Sequence, residues 1–302
     1  MILSADIGGT SVKLGLVDRA GALHAKAEAP VHFDNYQTPI IDTVIRAAGE
    51  FLAQHPCALE GVGVSATGQI DSRSGVIVGT NGKIANYEGT NVKARMQDAF
   101  HVRAAVLNDA NAALLGECFL GGAKEAQNVV MLTLGTGVGG GVLVEGRLLT
   151  GHGGIAGEMG HFTLHQNGAP CACGKRGCYE NYASTTALLR SAEAATGETG
   201  LNCRIVFERA AAGDAVLCSV LDRWLDDVAA GVTGLVHIFN PELVLIGGGV
   251  SRQEDLLLRP LRQRVLKGCM PRFAENLRVE RAVLGNDAGL IGAAKFFMDS
   301  QA

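Results

Sequence analysis

The 302-residue chain has no apolar run near the length of about 20 needed to cross a bilayer. Its start, MILSADIGGT, has no cationic head of the kind that opens a secretory leader. The expectation is a cytoplasmic protein with no membrane partner. A cationic surplus is missing too. The 26 Lys and Arg are outnumbered by 30 Asp and Glu, so the net charge is −4 and no broadly basic surface is offered to nucleic acid. Charged residues make up only 19% against 47% apolar, which excludes general disorder and leaves enough for a sizeable core. At roughly 150 residues per domain, the length suggests two domains.

Glycine is what the chain has in excess: 41 residues, about twice the usual share of roughly 7%. With only 7 prolines, low complexity does not explain it. The glycines cluster at residues 8–9, 135–141, 151–160 and 247–249. Cysteine is uneven as well, with three of eight between Cys171 and Cys178. In a chain expected to stay inside the cell, such a cluster favours metal binding over disulfides.

Periodicity gives a coarse plan. Met1 to Ala5, Val12 to Val17 and His24 to Glu28 read as consecutive hairpin strands. Next comes a helix with Thr38 as its expected N-cap and Pro39 first, burying Ile41, Val44, Ile45, Ala48, Phe51 and Leu52. Gly61 to Ala66 reads as a strand, and Ala104 to Leu107 as another that runs into a helix over Ala110 to Phe119. Gly121-Gly122 marks a junction. The second half begins the same way, with Val129 to Leu134, a glycine loop and Gly141 to Val144. A long amphipathic helix around Leu221 to Phe239 then leads to a buried-type strand, Leu243 to Ile246. The repeated plan points to a duplicated α/β unit with a cleft between the copies.

The glycine loops are the first candidates for chemistry. Asp6-Ile7-Gly8-Gly9-Thr10 joins two strands by a turn whose glycines allow positive φ and bring N–H groups close to an anion. Thr10 adds a hydroxyl, and Asp6 could hold Mg²⁺ through water. An ordinary hairpin turn is the plain alternative. LGTGVGGG from Leu134 to Gly141 has six Gly or Thr in eight residues, too many costly glycines for an unconstrained hairpin. Neither loop ends in Gly-Lys-Ser/Thr, and the first is followed by a strand rather than a helix, so Walker A and dinucleotide fingerprints are both excluded. Gly247-Gly248-Gly249 closes a strand where a flat ring could lie on the backbone, or where the chain simply turns.

GHFTLHQNGAPCACGKRGCYE, from Gly160, supplies His161, Cys171, Cys173 and Cys178, one nitrogen and three sulfurs suited to a tetrahedral, structural Zn²⁺. His165 is a weaker candidate ligand. Cys57, Cys118, Cys203, Cys218 and Cys269 read as core fillers. Asp109, beside Asn108 where a strand meets a helix, could accept a proton from a hydroxyl or could merely cap the helix. Glu158 and Glu180 flank the metal motif, where one ion could pin both against a polyol.

Together these segments resemble the ROK family of sugar kinases and repressors: DIGGT, LNDANAA, LGTGVGGG, GEMGH, CACGKRGCYE, LIGGGV and NDAGLIGAA. The resemblance runs nearly the whole chain. It implies a two-domain, actin-like α/β fold of the ribonuclease H and hexokinase type. The small domain would be residues 1–120, with a C-terminal helix at about 289–302 packed back on it, and the large domain would be residues 121–288 with the zinc insertion. It implies ATP-dependent phosphorylation of a hexose on its 6-hydroxyl, glucose first and N-acetylmannosamine second, with Mg-ATP as co-substrate and structural zinc. Asp109 would be the general base. Gly68, Asn81, Asn108, Glu158, His161 and Glu180 would bind the sugar, His161 also ligating zinc. Asp6, Gly8, Gly9, Thr10, Thr136, Gly137, Gly248 and Gly249 would meet Mg-ATP, and the chain would be a homodimer. Ser11 stands where many members carry Lys, and NGKIANYE from Asn81 lacks the Asn-Leu-x-x-Trp run common in glucokinases. The family's repressors carry a helix-turn-helix ahead of the first loop, where this sequence has five residues before Asp6.

Overall fold

The computed structural model describes residues 1–32, 34–80 and 84–301. In chain order its strands are β1 (Ile2–Ile7), β2 (Ser11–Val17), β3 (Leu23–Pro30), β4 (Gly61–Ala66), β5 (Gln69–Asp71), β6 (Val76–Gly79), β7 (Ala104–Asn108), β8 (Val129–Leu134), β9 (Val138–Val144), β10 (Arg147–Leu148), β11 (Leu243–Gly247) and β12 (Arg278–Arg281). The α-helices are α1 (Ile40–Gln54), α2 (Val92–Phe100), α3 (Asp109–Leu120), α4 (Glu180–Ala183), α5 (Thr185–Thr196), α6 (Cys203–Ala211), α7 (Ala215–Phe239), α8 (Arg259–Gly268), α9 (Pro271–Ala274) and α10 (Ala288–Asp299).

The chain forms two compact units. One comprises residues 1–125, 148–157 and 284–302, the other residues 126–147 and 158–283. Their main sheets run β3-β2-β1-β4-β7 and β10-β9-β8-β11-β12, the same order twice. In each, the next strand in sequence pairs antiparallel with the central strand, β2 with β1 and β9 with β8, and two further strands on the other side run parallel to it.

In the first unit α1 packs Val44, Ala48 and Phe51 into the core through its helical spacing. The sequence expected Thr38 to cap this helix, but Pro39 holds the cap position without a side-chain bond. The Thr38 N–H and hydroxyl instead both donate to Asp34 Oδ2, at 2.9 and 2.6 Å, which ties Thr38 back to the preceding turn. Glycines let α10 sit close to α3: a Cβ on Gly292 would lie 1.7 Å from Ala112 O, and one on Gly116 2.4 Å from Ala288 O. In the second unit α7 backs the sheet through Val228, Val232 and Leu235. Cys269 is buried, but Cys57 and Cys218 are exposed, so the scattered cysteines are not uniformly core.

Candidate active site

In each unit candidate residues gather at the ends of the sheet strands. In the first unit Asp6 lies near the end of β1. The parallel register sets Ser65 beside it, and the antiparallel register sets Lys13 opposite. Asp6 Oδ1 accepts from the Ser65 hydroxyl at 2.6 Å, and Oδ2 lies 3.5 Å from Lys13 Nζ. Gly8 N donates to Ser11 O at 2.9 Å, closing the loop that carries Gly9 and exposed Thr10. The Tyr36 hydroxyl donates to Gly9 O at 2.6 Å. Ser11, where many members have Lys, donates to Glu28.

At the end of β7, Asn108 caps α3, its Oδ1 accepting from Ala110 N at 2.9 Å and Asn111 N at 3.3 Å. Its amide donates to Gly68 O at 2.9 Å, which brings the Gly68 turn to the same place. Gly68 has φ +96°, a left-handed backbone for which glycine is suited. Asp109 is the first residue of α3, half-buried, with Oδ1 accepting from Ala110 N at 2.8 Å. The helix N-terminus favours its negative charge. Asn108 is the cap residue, and Asp109 shares the Ala110 amide with it. Asp109 and Asp6 act on a common neighbour: Tyr87 is buried, and burial first and then these two charges push its phenol well above the ordinary value. Asn81 lies outside the described residues.

In the second unit Gly135, Thr136 and Gly137 join β8 to β9. The sequence reading allowed positive φ to the glycines of the first loop. None of Gly8, Gly9, Gly135, Gly137, Gly139, Gly140 or Gly141 adopts it. At Gly137 and Gly140 the missing side chain provides clearance instead. A Cβ on Gly137 would lie 2.2 Å from Glu180 Oε2, the oxygen that accepts from Val138 N at 3.0 Å. Two threonines that sequence reasoning missed hold the same loop: Thr185 donates to Gly135 O and Thr186 to Thr136 O, each at 2.8 Å. Gly248 has φ +92°, and a Cβ there would lie 2.1 Å from Leu134 O, so the turn after β11 closes against the end of β8. Gly249 faces open space.

His161 ends a one-turn 3₁₀ helix, Met159–His161. His161, Cys171, Cys173 and Cys178 bring one donor atom each to within 4.8 Å of one another, a set that could hold a metal ion. His161 Nδ1 lies 3.7 Å from Cys171 Sγ, and Cys173 Sγ lies 3.5 Å from Cys178 Sγ. The segment is anchored by Tyr179, which stacks on Phe162 and donates to Val228 O at 2.8 Å in α7. His165 is not part of the set; its Nε2 lies 2.8 Å from Asp227 Oδ1. On the other side of His161, Nε2 is 3.9 Å from Glu158 Oε2. The Glu158 carboxyl is held above its ordinary value by lost solvation, opposed by His161 and reinforced by the charge of Glu180. Glu158, His161 and Glu180 thus form one polar, anionic surface.

Sequence reasoning also missed Ser65 and Lys13. The hairpin register carries the only sequence signal for Lys13, since pairing Ile7 with Val12 sets Asp6 opposite Lys13. Nothing local announces Ser65.

The model described as ROK family matches residues 2–300. The glucokinase of Thermotoga maritima is 34% identical, over 99% of this chain and 97% of that protein. A ROK family glucokinase from Streptomyces griseus, solved in complex with glucose and AMPPNP, superposes with a TM-score of 0.84 at 30% identity, over 97% of this chain and 98% of that one. A ROK hexokinase from Thermus thermophilus gives a TM-score of 0.84 at 30% identity, over 99% of both chains.

Proposed function

The chain belongs to the ROK family, and from that premise we propose an ATP-dependent sugar kinase that phosphorylates glucose on its 6-hydroxyl. The fold is the actin-like ATPase fold of the ROK hexokinases. The observation that carries the reading is the start of α3, where Asn108 caps the helix and the half-buried Asp109 carboxylate stands as its first residue, held by the Ala110 amide beside the Gly68 turn.

Asp109 takes the 6-hydroxyl proton, raising the nucleophilicity of a group that is otherwise neutral, as the oxygen attacks the γ-phosphorus and the bond from that phosphorus to the bridging oxygen breaks to release ADP. Asn108, Gly68, Asn81, Glu158, His161 and Glu180 fix the sugar through its other hydroxyls, so that one oxygen is aligned. The loops at Gly8-Gly9-Thr10 and Thr136-Gly137 meet the phosphates with N–H and hydroxyl donors, and Gly248-Gly249 flank the adenosine. Asp6 would hold Mg²⁺ through water; its carboxylate is already oriented by Ser65 and met by Lys13. When bound, Mg²⁺ supplies charge neutralisation on the phosphates.

The four-residue set fits Zn²⁺. A Zn–S length of about 2.3 Å puts tetrahedral donors roughly 3.7 Å apart, and two donor pairs stand at 3.5 and 3.7 Å. With four protein ligands the ion would be structural, tying Glu180 and Glu158 to one anchored segment. His161 Nδ1 faces the sulfurs while Nε2 faces Glu158, which suits one ring serving both metal and sugar.

N-acetylmannosamine is the second reading, because the family's zinc cluster and GEMGH occur in both groups and the absence of the Asn-Leu-x-x-Trp run in the segment ending IANYE weakens the case for glucose. A cytoplasmic homodimer completes the proposal. Among the described residues no helix is long and apolar enough to cross a membrane, and the dimer rests on the family resemblance.

The test is a coupled ADP-release assay across glucose, N-acetylmannosamine, N-acetylglucosamine, mannose, fructose and allose, with zinc measured on the same sample. The highest kcat/KM for glucose and one zinc per chain support the reading. The highest value for N-acetylmannosamine selects the second. No ADP release with any of them overturns the kinase assignment.

A further inference from the structure

Glu117 is the one fully buried acidic side chain among the described residues, with no exposed surface and no ion pair. It sits in the last turn of α3, where the helix dipole opposes a negative charge. Burying a carboxylate without a cation is costly, so an apolar side chain would serve better if filling space were its task. Both oxygens act as acceptors. Oε2 accepts from Gly122 N at 2.8 Å and Oε1 from Leu284 N at 2.7 Å. The backbone carbonyl of Glu117 accepts from Gly121 N and Ala123 N, each at 3.0 Å. A Cβ on Gly121 would lie 2.1 Å from Oε2, so that position is cleared for the carboxylate. The neighbouring Cys118 thiol is pushed up to about 12, by burial first and then by the charge of Glu117.

The two amides held are not arbitrary. Gly122 lies just before residue 126, where the first unit gives way, and Leu284 is the residue at which that unit resumes. From Leu284 the chain makes one 3₁₀ turn, Gly285–Asp287, and enters α10. The second residue of α10, Gly289, lies against Asp6: a Cβ there would be 2.9 Å from Asp6 Cγ. Asp109 begins the helix that carries Glu117. One carboxylate therefore joins the helix of the proposed base to the helix packed against the proposed Mg²⁺ residue.

We propose that Glu117 is a positioning residue for phosphoryl transfer: by fixing the start of α10 on α3, it sets the separation of Asp6 from Asp109. The inference rests on the kinase reading above, and its effect falls on turnover rather than on sugar binding, because it touches no sugar-binding group.

The experiment compares wild type, Glu117→Gln, Leu284→Pro and the double variant by kcat, KM for glucose and stoichiometry of glucose binding. Glu117→Gln leaves one oxygen for two N–H donors. Leu284→Pro removes the same hydrogen bond from the other side; Leu284 has φ −75°, which proline accepts. Since displacements of about 1 Å can cost on the order of 100-fold, each single variant is expected to lose roughly 10- to 100-fold in kcat per binding-competent site. The glucose KM should stay within about 3-fold, and the double variant should be no slower than the slower single one. A purely structural role predicts a lower melting temperature with kcat per competent site unchanged, and that result overturns the proposal, as do losses that multiply in the double variant. If Glu117→Gln does not fold, Leu284→Pro, with Glu117 intact, decides alone. Absence of sugar phosphorylation by wild type would instead sink the kinase reading, a result distinct from active wild type with undiminished variants.

Discussion

Gly137 shows how one missing side chain can organise a site. Its hydrogen leaves room for Glu180, whose Oε2 takes the Val138 amide at 3.0 Å. Gly137→Ala puts a carbon 2.2 Å from that oxygen, so the carboxylate must swing away and leave the amide unpaired. The expected cost is about 1–3 kcal/mol of stability, read by thermal melting, with at least about a 10-fold loss of kcat/KM for sugar. Gly135→Ala is the control: nothing lies within 4 Å of its added carbon, so both losses should be much smaller. The sequence displayed the glycine cluster but not this reason for it, because Glu180 is more than 40 residues away and only the fold brings it back. The same holds for the choice between His161 and His165. Spacing admits both, and packing decides, since the His165 ring is taken up by Asp227 and the edge of Tyr182.

At the scale of elements, α5 holds the second glycine loop through Thr185 and Thr186. Its cap, Ser184, is buried, accepts from Ala187 N at 3.1 Å and offers its carbonyl to Trp224 Nε1 at 3.2 Å. Ser184→Ala should cost about 1 kcal/mol, seen as a lower denaturant midpoint with an unchanged slope. Glu242, just before β11, accepts from Gln127 N at 2.7 Å and Asn128 N at 3.1 Å through one oxygen. Those amides lower its carboxyl below the usual 4.5, Gln127 first. The unfolded chain therefore takes up the proton at higher pH than the folded one. The stabilisation is complete above the unfolded value and disappears as pH falls through the lowered folded value. Glu242→Gln should lag wild type in stability at neutral pH, with the gap closing below about pH 4.5; a constant gap would contradict the assignment. The helices α1 and α7 were legible from their apolar spacing, and α3 from its run of strong helix formers. The start of α1 was not, because Thr38 is bound back to Asp34 through its N–H and hydroxyl and a local cap rule cannot see that.

At the scale of the whole molecule, two sheets of identical strand order are built from unlike sequences. What repeats is the plan of hairpin, glycine loop and parallel strands, and that much was readable from strand and turn patterns. The partition of the chain is less so. A C-terminal segment returning to the first unit was implied by the resemblance, but nothing in the local pattern announced the return of residues 148–157 across a gap in sequence. The account's central claim is that Asp109 activates the acceptor hydroxyl of a sugar. It is tested most directly by measuring kcat and the glucose dissociation constant of Asp109→Asn beside wild type. A base of this kind contributes about 10²- to 10⁴-fold, so the variant should lose that much turnover while binding glucose within a few-fold of wild type. Turnover within about 10-fold of wild type would contradict the claim.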